Sequence, residues 1–107
     1  MDVKMVAQNT ECNEDAVVDL FAEAGYHLVL RERYQDGKRK GRVQQSRWSN
    51  AEPGREWLEG NIICNFDDGT VEVQVHGDHL PDGGTVLFEA KTVLAVAAAL
   101  RELGVQI

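Results

Sequence analysis

The sequence predicts a single α+β domain: an antiparallel sheet of about five strands, with an N-terminal and a C-terminal helix packed on one of its faces. Three observations predict it. Residues 14–24 and 90–103 each carry an apolar stripe at helical spacing. Short runs between them alternate apolar and polar side chains. Gly- and Asp-containing dipeptides separate those runs, and ten glycines stand against two prolines. Two one-sided helices bury their stripes most simply on the same face of one sheet. The 107 residues make one domain, 1–107, large enough to hold a core without metal or disulfide staples.

Residues 1–9 leave a short strand and a frayed arm equally open. The first helix is expected over 14–24. Asn13 is a good N-cap, Glu14 and Asp15 suit the positive end of the helix dipole, and Val17, Leu20, Phe21 and Ala24 form one stripe. Gly25 is placed to end it. A strand follows from Leu28 to about Gln35, with Leu28 and Leu30 on one side and Arg31 and Arg33 on the other. Asp36-Gly37 and Lys40-Gly41 both signal the turn, so the tip of this hairpin is left open. Residues 42–48 return with Val43, Gln45 and Arg47 opposite Gln44, Ser46 and Trp48. So polar a strand is expected to be partly exposed. Ser49 to Gly54 is a loop, and Glu56-Trp57-Leu58 restarts order.

Ile62–Phe66 and Val71–His76 form the clearest hairpin, turning at Asp68-Gly69, with Val71, Val73 and Val75 alternating with Glu72, Gln74 and His76. Gly77 to Gly84 is a loop and Thr85–Phe88 a short strand. The last helix is expected from Ala90 to Leu103, with Val93, Val96, Ala97, Leu100 and Leu103 on one face and Gly104 as its cap. Val105 and Ile107 are expected against the sheet.

The net charge of −7 conceals a segregation. Residues 31–55 hold eight cations against three acids, leaving +5; the rest of the chain holds three cations against fifteen acids, leaving −12. Such a map bears on partners and encounter rates rather than on fold. Cys12 and Cys64 match no metal-ligand spacing and no disulfide framework, the N-terminus is not a basic leader, and no apolar run reaches membrane-spanning length. The expectation is a reduced, cytoplasmic chain away from membranes; oligomeric state is not legible.

Four groups of residues could carry chemistry. His76-Gly77-Asp78-His79 offers imidazoles and a carboxylate, with Cys64 on the partner strand. A metal-dependent enzyme centred on His76, Asp78 and His79 is therefore one reading, although nothing in the pattern fixes both rings on one ion. Asp67 and Asp68 are adjacent at a hairpin tip and would point apart, so they are turn residues rather than an acid–base couple. No nucleophile motif or phosphate loop is present, so the expected assignment is no enzyme, no cofactor and no metal. The basic hairpin, with Arg31, Arg33, Lys38, Arg39, Lys40, Arg42 and Arg47 near Tyr34 and Trp48, could neutralise phosphates and stack on bases. That makes a nucleic-acid-binding accessory protein the second reading.

The leading reading takes the acidic set: Glu11, Glu14, Asp15, Asp19 and Glu23 around the first helix, with Asp67 and Asp68 and the nearby Glu72. Carboxylates on a small rigid surface can occupy a cationic groove that otherwise holds nucleic acid. The expected function is a protein-binding inhibitor or neutraliser, of the type of a phage anti-defence protein such as a CRISPR inhibitor, or of an immunity or antitoxin protein. Its partner is another protein, a nucleic-acid-binding one being among the candidates.

Overall fold

The computed structural model describes residues 14–50, 61–67, 69–77, 80 and 84–107. In chain order these form α1 (Glu14–Glu23), β1 (His27–Arg33), β2 (Val43–Ser49), β3 (Ile62–Phe66), β4 (Val71–His76), β5 (Thr85–Ala90) and α2 (Val93–Glu102). The strands make one antiparallel meander in the order β1-β2-β3-β4-β5. The expected α+β architecture is the observed one. Asn13, the expected N-cap of α1, lies outside the described residues.

One core joins both helices to one sheet face. Val17 and Phe21 of α1 and Val93, Val96 and Leu100 of α2 pack with Trp48, Ile62, Cys64, Phe66, Val71, Val73 and Val75. Phe21 stacks on Trp48 with ring centroids 5.1 Å apart and meets Tyr26 edge-on at 5.8 Å. Thr92, between β5 and α2, accepts a hydrogen bond from Ala95 N–H at 3.1 Å and caps α2. The chain after Phe88 therefore stays extended to Ala90, two residues beyond the expected strand end. At the far end Gly104 takes φ 83°, which lets Val105 N–H return to Leu100 C=O at 3.0 Å.

One expectation about strand faces holds and two are corrected. β2 is partly exposed as expected: Gln44 is exposed and Gln45 and Arg47 are half-buried, while Ser46, Trp48 and Ser49 are buried because the strand lies between β1 and β3. Its polar character is accommodated because Trp48 Nε1–H donates to Ser46 Oγ at 3.0 Å. Next, register shifts interrupt the β1–β2 ladder. Leu28 pairs with Trp48, but Leu30 pairs with Arg47. Cross-strand partners share a face, so the irregularity at Val29 sends Leu28 and Leu30 to opposite faces rather than to one. A second shift, between Glu32 and Arg33, accompanies the entry of Val43 into the core with Ser46 and Trp48 instead of with Gln45 and Arg47. Both glycine signals at the hairpin tip are used. Gly37 and Gly41 have φ 81° and 87°, inside a loop closed by Tyr34 N–H to Arg42 C=O at 2.9 Å.

Candidate functional site

The face of the sheet turned away from the helices carries a polar row beside a mixed one. Register places Glu32, Gln45, Asn65, Glu72 and Glu89 in one row across the five strands, and Leu30, Arg47, Ile63, Gln74 and Leu87 in the next. Gln45 links this surface, donating to Asn65 Oδ1 at 2.7 Å and accepting from Arg47 Nε–H at 2.8 Å. Glu72 lies directly opposite Glu89, and both are exposed. Among the described residues neither has a hydrogen-bond or ion-pair partner, and the same holds for Glu32. Like charges facing each other across two strands are destabilising. Beside them opens a cleft of about 290 Å3 whose lining includes Tyr34, Asn65, Asp67, Glu72 and Glu89.

The two charged regions of the sequence meet at this end of the sheet. Arg39, from the basic tip, pairs with Asp67 of the β3–β4 turn. Its guanidinium also lies 5.6 Å from the Tyr34 ring centroid. Tyr34 in turn donates its hydroxyl to Phe66 C=O at 2.7 Å, and Arg33 donates to Gly41 C=O at 2.8 Å. Two of the hairpin's cations thus hold its own shape. Arg31 lies on β1, Arg47 on β2, and Lys38, Lys40 and Arg42 are exposed around the tip. Trp48, expected beside them as a contact residue, is corrected: it is 3% exposed, a core residue under Phe21.

The acidic residues singled out by sequence do not share one surface. Glu14, Asp15, Asp19 and Glu23 belong to α1, on the helix side of the sheet, and Asp19 and Glu23 are exposed there. Asp67 sits at the sheet end. Glu11 and Asp68 lie outside the described residues. Glu32 and Glu89 were missed and Glu72 only half seen. Their common row depends on strand register, which no local pattern encodes.

The His76 cluster is only partly described, since Asp78 and His79 lie outside the described residues. His76 Nδ1 is 3.1 Å from Thr85 Oγ1. Cys64 faces the core beside Val73, whereas His76 follows Glu72 and Gln74 on the other face, so β3 does not bring the thiol to the imidazole. Among the described residues no three His, Cys, Asp or Glu side chains converge as metal ligands. Near His76 a second cleft, of about 280 Å3, is lined by Tyr26, Asn50, Asn61, Val105 and others. Burial pushes the Tyr26 phenol above the ordinary tyrosine range, opposed by a side-chain hydrogen bond with Asn61. Asn61 is itself held by Asn50 at 3.3 Å, so the polar groups of this cleft largely satisfy one another.

Comparison with protein-family models, curated proteins and solved structures finds no match in any of the three. No helix among the described residues is long and apolar enough to cross a membrane.

Proposed function

We propose that this chain is a small protein-binding module that engages a cationic surface of another protein, acting as an inhibitor or neutraliser. The observation that carries this reading is the Glu72–Glu89 pair: two exposed carboxylates held opposite each other with no cation of the described residues between them. A domain that gains nothing from this repulsion when alone gains from it when a partner Lys or Arg arrives. Glu32 in the same row and Asp19 on α1 extend the acidic character to the β1 edge and to the helix side. A partner whose basic groove ordinarily holds nucleic acid fits this chemistry, as it would for a phage anti-defence, immunity or antitoxin protein. Direct nucleic-acid binding by the hairpin is less well supported, because Trp48 is buried and Arg39 is engaged with Asp67 and Tyr34.

The test uses immobilised chain to retain a partner from cells that encode it, followed by affinity measurement with the purified partner. The double variant Glu72→Lys/Glu89→Lys should bind at least tenfold more weakly, and the affinity of the unaltered chain should fall as salt rises. A retained partner whose affinity ignores both the double reversal and salt would overturn the reading.

A further inference from the structure

The sheet has two edges, and they are built differently. β1 carries register shifts and the cations Arg31 and Arg33, features that discourage a further strand. β5 pairs with β4 through six consecutive residues without a shift, and among the described residues no strand lies on its outer side. The backbone polarity of β5 follows from its ladder. Gly77 N–H donates to Gly84 C=O at 2.9 Å. Residues of an antiparallel strand alternate in the direction of their main-chain groups. Val86, Phe88 and Ala90 therefore bond to β4, while the N–H and C=O groups of Thr85, Leu87 and Glu89 point outward. Those same three residues carry their side chains on the face away from the helices. Leu87 is 58% exposed there, the most exposed large apolar side chain among the described residues.

Building on the proposed function, we infer that β5 is the docking edge, and that the partner contributes an extended cationic segment as a sixth, antiparallel strand. Its main chain bonds to Thr85, Leu87 and Glu89. One side chain, basic, sits opposite Glu89 and reaches the adjoining Glu72; the side chain two residues further on, apolar, covers Leu87. Charge selects a foreign segment over a second copy. In a symmetric β5–β5 pairing centred on Leu87, Glu89 faces Thr85; centred on Phe88, it faces Leu87. Neither offers a cation, and two chains of net charge −7 repel each other.

The probe is the acetylated, amidated peptide Thr-Arg-Thr-Val-Thr-Thr, which can set its arginine opposite Glu89 and its valine opposite Leu87. Titrated into isotope-labelled protein, it should move the amide resonances of residues 85–90 most. Replacing its arginine by glutamate, or methylating the valine amide nitrogen, should weaken binding at least tenfold. Leu87→Pro should abolish binding while keeping the fold, because the lost N–H is not used by β4. If that variant unfolds, Glu89→Lys with the methylated peptide serves the same purpose. No movement at β5 up to the peptide's solubility limit overturns the inference, and so does equal binding of the glutamate peptide. A dimer of the unaltered chain that Leu87→Pro dissociates would assign the edge to a second copy, and likewise overturns it. A natural partner that tolerates Leu87→Pro but not Glu72→Lys/Glu89→Lys would sink strand addition and leave the acidic-surface reading standing.

Discussion

Replacing Glu72 by lysine should make the domain more stable, which is an unusual expectation for a charge reversal at a strand centre. Glu72 and Glu89 form a non-hydrogen-bonded pair, since the residues of β5 that bond to β4 are Val86, Phe88 and Ala90. Side chains approach most closely in such pairs, with Cα atoms about 4.5 Å apart. Two carboxylates roughly 6 Å apart in water-like surroundings repel by about 0.7 kcal/mol. Reversal changes the repulsion into an attraction of similar size, so the swing approaches about 1 kcal/mol at low ionic strength once screening and side-chain ordering are allowed for. In a domain of about 100 residues this raises the thermal midpoint by roughly 4 °C. Glu72→Gln removes the repulsion without adding attraction and should give about half the gain. Thermal and urea melts at low salt and in roughly 1 M salt, where the Debye length is about 3 Å, measure it. The gain should appear at low salt and vanish at high salt. A Glu72→Lys protein that is no more stable at low salt, or equally more stable at both, would show that the two carboxylates do not repel, and the argument from their pairing would fall with it.

Three further outcomes are expected. Val73→Asp should cost several kcal/mol, because it places a carboxylate without a partner in the core, whereas its neighbour Glu72 tolerates charge; equal effects in urea melts would show the β4 faces to be reversed. Arg39→Met should cost less than about 1 kcal/mol, since its ion-pair partner Asp67 is largely exposed and methionine keeps the apolar stem, yet it should speed amide hydrogen exchange across 38–42; unchanged exchange would mean the clamp does not hold the tip. Tyr26 makes stability depend on alkaline pH. Burial raises its folded pKa, so the neutral phenol is favoured in the fold. Its contribution is complete below the unfolded tyrosine value of about 10 and is lost as pH rises through the higher folded value. Urea melts from roughly pH 9 to 12 should show a fall that is shallower in Tyr26→Phe; identical profiles would contradict it.

What the sequence alone determined is the kind and order of the elements. The stripes Val17–Phe21 and Val93–Val96–Leu100 reach the core as expected, and the alternation in Val71–His76 correctly separates the buried valines from Glu72. These patterns repeat within one element, where local geometry dictates which side chains share a face. Tertiary structure decided everything that depends on two elements at once. The shift at Val29 parted Leu28 from Leu30, and the helices on one sheet face buried the Ser46–Trp48 side of β2, where Trp48 packs under Phe21. The surface was less legible still. Arg39 and Asp67 are 28 residues apart in the chain and belong by composition to opposite charge regions, yet the β-meander brings them into contact. Glu72 and Glu89 face each other only because β4 and β5 adopt one register among several that would bury the same valines; a slip of two residues would keep the core and separate the carboxylates. Burial repeats along a strand every two residues, so it specifies the face of each side chain. Pairing between charges depends on alignment across strands, and that is set only when the whole sheet closes on its helices.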